Sequence, residues 1–113
     1  MHEYSIVQSL LDRVREEVTA MNARRARRLW VRIGELSGVE VDLLRTAYEM
    51  CRASTVCSDA PLVVSRLAAR WECPTCGAGI QHGLRLACAI CGSPARLVAG
   101  DEIMLDRIEM EVP

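Results

Sequence analysis

Four cysteines in the second half of the chain have the spacing of a metal site. They form two C-x2-C pairs, each followed by glycine, at Cys73, Cys76, Cys88 and Cys91. Two residues between the cysteines of a pair let the backbone turn back, so that both thiolates point at one ion. Zn(II) prefers four such ligands in a tetrahedron. Because protein atoms fill all four positions and leave none for a substrate, the array predicts a structural zinc site.

Other uses of cysteine pairs fit this sequence less well. A thioredoxin-like redox site has one C-x-x-C motif beside a βαβ pattern, and this chain has two pairs without that pattern. A rubredoxin-like iron site would have a longer separation and an aromatic core, and the chain contains no Phe. Cys51 is predicted to be a small buried hydrophobe, and Cys57 has no predicted role. His82 is predicted to be a solvated loop residue, with replacement of a cysteine ligand as the alternative.

The start of the chain offers a different metal chemistry. The free amine of Met1, the amide nitrogen of His2 and its imidazole Nδ1 can close fused chelate rings on one ion. The Glu3 amide or an outside ligand can take a fourth position. This nitrogen plane suits Ni(II) or Cu(II), and it weakens as pH falls because its donors must be deprotonated. The bulk of His2 is expected to keep Met1 in place. From position alone, an ordinary exposed histidine is the favoured interpretation and a metal ligand the alternative.

Composition and charge limit the class of protein. The chain has 113 residues, half of them apolar, which suits one domain with a core and a small appendage. Its formal charge is −1, so nothing global attracts it to nucleic acid or to an anionic membrane. No apolar run reaches the roughly 18 residues of a membrane span, and the charged start argues against a secretory signal. We therefore expect a cytoplasmic protein, in which thiols stay reduced.

Hydrophobic periodicity predicts the order of the elements. Apolar residues at steps of three and four predict two helices, alternation predicts strands, and a metal module precedes the last strand. The arginine cluster in residues 24–28 is predicted to be a solvated connection, with binding of phosphate or an acidic partner as the alternative. The predicted elements are a helix at 3–21, a strand at 29–33, a helix at 41–52, a strand at 62–71, the module at 71–95 and a strand at 102–112.

This order predicts an α+β fold. Two helices pack on a small mixed three-stranded sheet, with a zinc-ribbon-like lobe inserted before the last strand. The predicted domains are an α/β domain of residues 1–70 plus 97–113 and a zinc-binding lobe of residues 71–96.

Several blocks of sequence together resemble the HypA/HybF family of hydrogenase maturation proteins, which deliver nickel to [NiFe]-hydrogenase. Their order and spacing match that family across nearly the whole chain. The blocks are MHEYSI at 1–6, VRIGELSGV at 31–39, GDEI at 100–103 and IEME at 108–111, together with the four cysteines.

The resemblance implies roles for particular residues. His2 would be the essential nickel ligand, with the Met1 amine and backbone amides completing the site, and Glu3 would support or tune it. Ni(II) would be a transient cargo and Zn(II) a structural ion held by the four cysteines. The implied partners are a HypB-type nickel GTPase and the precursor of the [NiFe]-hydrogenase large subunit.

The chain departs from the family pattern in two places. Residues 52–60 have the sequence RASTVCSDA instead of the usual Gly-Thr and acidic-Gly-Ala stretches, and no histidine closely follows either cysteine pair. The resemblance therefore does not extend to a zinc-linked pH switch. A zinc-ribbon adaptor without nickel transfer is the alternative function. A nucleic-acid binder and an enzyme are disfavoured, because the lobe has few cations and aromatics and no catalytic motif is present.

Overall fold

The structure, a computed structural model, describes residues 2–80 and 86–113 of the chain. Two helices and a long first strand precede the cysteines, and a long last strand follows them. In chain order the elements are α1 (His2–Ala20), β1 (Arg25–Gly34), α2 (Val41–Cys51), β2 (Leu62–Leu67), β3 (Arg70–Glu72), β4 (Gly79–Ile80), β5 (Arg96–Ala99) and β6 (Ile103–Glu111).

The larger sheet is mixed and has the strand order β2-β1-β6. Its backbone hydrogen bonds show that β2 runs parallel to β1, with α2 as the crossover, whereas β6 runs antiparallel to β1. Between β1 and β2, the amide of Leu29 donates to the carbonyl of Pro61, and the amide of Glu35 donates to that of Leu67. Between β1 and β6, the amide of Arg24 donates to the carbonyl of Glu111, and the amide of Gly34 donates to that of Glu102.

The chain divides into two compact units. The first consists of Met1–Arg32, Val39–Ser65 and Met104–Pro113, and it contains both helices. The second consists of Ile33–Gly38 and Arg66–Ile103, and it contains all four paired cysteines. A second, smaller sheet of order β4-β3-β5 lies in this unit. The α+β class, with two helices, a small mixed three-stranded sheet and a zinc-ribbon-like lobe, is thereby confirmed.

The core of the first unit follows the predicted apolar stripes. On α1 the buried side chains recur at steps of three and four, as an amphipathic helix requires. Met21, the last residue of the predicted helix, is 62% exposed, because α1 ends at Ala20 and Asn22 takes a left-handed conformation with φ 55°. The core side chains of the two helices and β1 are Val7, Leu11, Val14, Val18, Ala26, Leu29, Val31, Leu44, Ala47 and Tyr48.

The prediction that residues 24–28 form a solvated connection was wrong, because β1 begins at Arg25. Arg25 and Arg27 both contact Glu111 at 3.0 Å, and Arg25 also contacts Asp59 at 3.0 Å. The Arg25 guanidinium lowers the pKa of Glu111. Exposed pairs of this kind contribute at most about 1 kcal/mol each. Their role here is to match cationic side chains of β1 to a carboxylate of the neighbouring strand.

The prediction of one strand over 62–71 was also wrong, because β2 ends at Leu67 and β3 begins at Arg70. Between them the Ala69 amide donates to Oε2 of Glu35 at 3.4 Å. Gly100 approaches closely from the other side. With φ at +106°, a Cβ there would lie 2.5 Å from Cα of Ala69. The chain therefore leaves the larger sheet at this point, and β3 pairs with β4 and β5 instead.

We looked for a membrane-spanning helix in residues 2–80 and 86–113. None of the helices described there is both long and apolar enough to cross a bilayer.

Replacement of Gly34 by alanine is expected to destabilise the protein. A Cβ at Gly34 would collide with the carbonyl oxygen of Gly100 and lie 2.8 Å from that of Glu102, and neither backbone group can rotate away. We expect Gly34→Ala to lower the free energy of unfolding by about 1–3 kcal/mol in urea titrations of the metal-loaded protein. Gly79→Ala is the control, because nothing lies within 4 Å of its new Cβ. Equal stability of the two variants would contradict the close approach.

Candidate metal centres

The four predicted cysteine ligands converge in the second unit. Their Sγ atoms all lie within 4.8 Å of one another. Two of the separations join one pair to the other, at 3.3 Å from Cys73 to Cys91 and 3.7 Å from Cys76 to Cys88. A tetrahedral ion with metal–sulfur bonds of about 2.3 Å needs ligand spacings of about 3.8 Å. The four sulfurs therefore fit around a single ion and form a metal-binding cluster.

Each cysteine pair lies in a tight turn that ends at a glycine. Gly77 and Gly92 have φ values of 76° and 73°, in the left-handed region that glycine enters without a steric cost. Their amides donate to the carbonyls of Cys73 and Cys88, each at 2.9 Å. The two turns have matching hydrogen bonds, and this is the local reason that both pairs present their sulfurs to one point.

Backbone amides and neighbouring thiols set the protonation of the cluster. The amide of Cys76 lowers the pKa of Cys73 to about 6. The amides of Cys91 and Ile90 lower the pKa of Cys88. The amide of Ala78 also acts to lower the pKa of Cys76, but the thiols of Cys73 and Cys88 outweigh it and raise that pKa to about 11. At neutral pH the cluster therefore combines a thiolate with a thiol that an incoming cation must deprotonate.

The N-terminal candidate site lies at the first turn of α1. The side chain of His2 is 61% exposed, whereas Glu3 is only 6% exposed. Nε2 of His2 lies 3.1 Å from Oε2 of Glu3, and the same oxygen accepts the amide hydrogen of Glu40 at 3.3 Å. Met1, whose amine we predicted as a nickel ligand, lies outside the described residues, as does His82. The described part of this site is therefore an exposed imidazole beside a buried carboxylate.

Backbone amides at the starts of α1 and α2 favour the ionised form of the Glu3 carboxyl group. The amide of Glu40 is the main cause of its lowered pKa, followed by its own amide, with the charge of His2 also contributing. Glu40 is the N-cap of α2, and its own side chain makes no capping hydrogen bond. Glu3 therefore supplies an acceptor for α2, in the place where the helix dipole favours a negative charge.

The contact with Glu3 also distinguishes the two ring nitrogens of His2. With Nε2 beside the carboxylate, Nδ1 is the nitrogen left available for coordination. Metal-binding histidines commonly donate their other ring N–H to a carboxylate, which fixes the tautomer and the ring orientation. The first amides of a helix have no carbonyl partner within it, and here the amide of Glu3 donates to its own carboxylate.

The sequence did not point to Glu40, because its contribution is a backbone amide that lies 37 positions from Glu3. No residue-type pattern marks such a contact. The structure also corrects the prediction for Cys51, which is half-buried rather than buried. Cys57, by contrast, is fully buried, and burial raises the pKa of its thiol. Its amide donates to Oγ1 of Thr55 at 3.0 Å, which places it in the interior of the first unit rather than at a metal site.

Fold and cluster together define a small metal-binding protein with α+β architecture. The family model for "Hydrogenase/urease nickel incorporation, metallochaperone, hypA" matches residues 1–110. The chain belongs to this HypA family.

Relatives and solved structures agree with the family match. The chain is 37% identical over 117 residues to the hydrogenase maturation factor HypA of Wolinella succinogenes, covering 98% of this chain and 96% of that one. The solution structure of a HypA protein superposes with a TM-score of 0.85 at 31% identity, covering 100% and 98% of the two chains. The solution structure of the Ni metallochaperone HypA from Helicobacter pylori gives 0.78 at 29% identity, covering 98% of each.

Metal uptake by the cysteine cluster is expected to release protons and to weaken as pH falls. Cys76, with a pKa of about 11, carries a proton at neutral pH that the metal must displace. We expect Zn(II) titration of the reduced, metal-free His2→Ala chain in weak buffer to acidify the solution. Its affinity should decrease steadily from neutral towards acidic pH. Cys51→Ser, which leaves the cluster intact, should behave identically when made in the same background. A pH-independent affinity would contradict the protonation described above.

Proposed function

We propose that this chain is a nickel metallochaperone that binds Ni(II) at its N-terminus. In this proposal Met1 is the first residue of the mature chain. The ligands are the Met1 amine, Nδ1 of His2 and local backbone amides, with the Glu3 amide as a further donor. The bound ion is a transient cargo, which the protein passes to the large subunit precursor of [NiFe]-hydrogenase during maturation. The nickel site thus belongs to the α/β domain rather than to the cysteine lobe.

The observation that carries this proposal is the exposed imidazole of His2 held against the buried carboxylate of Glu3. The side chain of an exposed histidine at a helix end usually lacks a contact that fixes its orientation. Here a carboxylate that is itself held by the Glu40 amide contacts Nε2 at 3.1 Å. A carboxylate that contacts the other ring nitrogen of a metal-binding histidine increases metal affinity by about 10- to 100-fold. Because the site opens to solvent, a recipient protein can approach the ion and exchange ligands.

The cysteine cluster, in the same proposal, holds a structural Zn(II). A four-thiolate set suits zinc, which needs no redox chemistry and accepts tetrahedral geometry. Cys73, Cys76, Cys88 and Cys91 would hold the ion, which links the two turns of the zinc-binding lobe at residues 71–96. Since all four ligands come from the protein, this ion stays with the chain while nickel moves on.

The proposed partners follow from the family and its relatives. The family description names hydrogenase and urease nickel incorporation, and the relatives are named hydrogenase maturation factors. We propose a HypB-type nickel GTPase as the donor-side partner and hydrogenase as the recipient, in the cytoplasm. The protein performs no catalysis of its own in this scheme, and it needs neither nucleic acid nor a membrane. A zinc-ribbon adaptor that never carries nickel is the competing function.

His2→Ala is expected to abolish nickel binding while leaving the cysteine cluster filled. The variant removes the imidazole that closes the chelate rings, whereas the cluster lies in the other unit. We would measure nickel binding by calorimetry on zinc-loaded protein without an N-terminal tag, because a tag would convert the α-amine into an amide. Wild type should bind about one nickel, and His2→Ala none.

The second histidine provides a matched control for this experiment. His82→Ala removes the same functional group from elsewhere in the chain, and it should bind nickel as wild type does. If His2→Ala retains wild-type nickel affinity, the metallochaperone proposal fails and the adaptor function takes its place. If both variants lose zinc as well, the His2 site is not separate from the cluster.

Glu3→Gln is expected to weaken nickel binding by about tenfold without changing the donor atoms. The amide oxygen of Gln can still accept from Glu40, but the charge that holds Nε2 of His2 is lost. Calorimetry should show the weaker affinity, and the visible absorption bands of bound Ni(II) should stay in place. Glu16→Gln, on the exposed face of α1, is the control. Wild-type affinity in Glu3→Gln would show that the carboxylate does not position His2.

A further inference from the structure

Two arginines contact the same tryptophan on the sheet of the first unit. Cζ of Arg107 lies 4.5 Å from the centroid of the Trp30 ring, and Cζ of Arg28 lies 5.8 Å from it. Trp30 and Arg28 are on β1, whereas Arg107 is on the neighbouring strand β6. Trp30 is half-buried and both arginines are exposed. We call these three residues the Arg–Trp–Arg surface.

The two arginines of this surface have no carboxylate partner among residues 2–80 and 86–113. Nearby arginines do have carboxylate partners: Arg32 contacts Asp106 at 3.3 Å, and Arg25 contacts Glu111. In the part of the chain that the structure describes, no carboxylate oxygen lies within 4.0 Å of the guanidinium of Arg28 or Arg107. Their recorded contact is the face of the indole.

Two cations on one ring repel each other, although the ring attracts each of them. A ligand with a carboxylate for each guanidinium would offset that repulsion and gain two charge-assisted interactions. The planar guanidinium presents a fork of donors that matches a carboxylate, and stacking on Trp30 holds the two forks in place before the partner arrives. Preorganisation of this kind lowers the entropic cost of binding.

We propose that the Arg–Trp–Arg surface binds an acidic polypeptide segment of a partner protein. Carboxylates spaced along a peptide suit two separate cations. The nearby Arg32 already contacts Asp106 at 3.3 Å, so within the described residues this surface offers the guanidinium groups of Arg28 and Arg107, which are too few to follow a continuous run of phosphates. Single-stranded nucleic acid also requires several stacking platforms and a basic groove, whereas this surface has one indole and the whole chain carries −1.

The probe for this proposal is a short polyglutamate peptide, added at low ionic strength to the full, metal-loaded, isotope-labelled chain. The chain contains two tryptophans, so its NMR spectrum has two indole N–H signals that report separately. Trp30→Phe identifies which signal belongs to Trp30. We expect the Trp30 signal to shift during the titration, the Trp71 signal to stay in place, and the affinity to fall as salt is added.

Matched pairs of charge-removing variants separate this surface from general attraction. Arg28→Gln combined with Arg107→Gln should weaken binding by about tenfold. Arg13→Gln combined with Arg15→Gln removes the same charge from the exposed side of α1 and should leave the affinity close to wild type. If the first pair does not fold, Arg28→Lys combined with Arg107→Lys keeps both charges but loses the planar stacking. It should weaken binding by about threefold.

Four outcomes would overturn the proposal. The first is no shift of the Trp30 signal, and the second is an equal loss of affinity in both Gln pairs, which would reflect net charge alone. The third is undiminished binding when lysines replace both arginines. The fourth is a single-stranded polythymidylate that shifts the Trp30 signal at lower concentration than polyglutamate, which would make this surface a nucleic-acid site.

Discussion

The buried carboxylate of Glu3 joins the start of α1 to the start of α2. One oxygen accepts the amide of Glu40 and contacts Nε2 of His2, so the orientation of the imidazole depends on how the two helices pack. That packing in turn rests on apolar side chains such as Val7 and Leu44, both fully buried. The first turn of a helix ordinarily frays. Here the Glu3 carboxylate connects the first turn of α1 to the start of α2.

The two candidate metal centres differ in how their ligands are held. The cysteine cluster draws its sulfurs from two hydrogen-bonded turns, and its four thiols leave no position open. At the terminus, the structure orients one exposed imidazole and leaves the surroundings accessible to solvent. A closed thiolate set favours retention of an ion, whereas the exposed imidazole would, under the proposed function, favour exchange of the ion with a recipient. This contrast agrees with membership of a nickel incorporation family.

Strand β1 uses its arginines in two ways. Near its start, Arg25 and Arg27 share the carboxylate of Glu111 and tie β1 to β6. Further along, Arg28 stacks on Trp30 without a carboxylate, and it forms part of the surface proposed for an acidic partner. The chain contains no lysine, and only the planar guanidinium supports both a forked ion pair and stacking on an aromatic ring. The composition therefore suits both roles.

The sequence by itself determined the features that depend on residues a few positions apart. The helical stripes, the glycine-ended turns and the four-cysteine ligand set could all be predicted, because each follows from local spacing. The tertiary structure decided what depends on distant partners. Residues 25–28 belong to a strand because the backbone there pairs with distant segments, as the Ala26 amide does with the carbonyl of Val56. Glu3 likewise meets the amide of Glu40 across 37 positions. Such contacts leave no local pattern, because they form only when separate elements pack together.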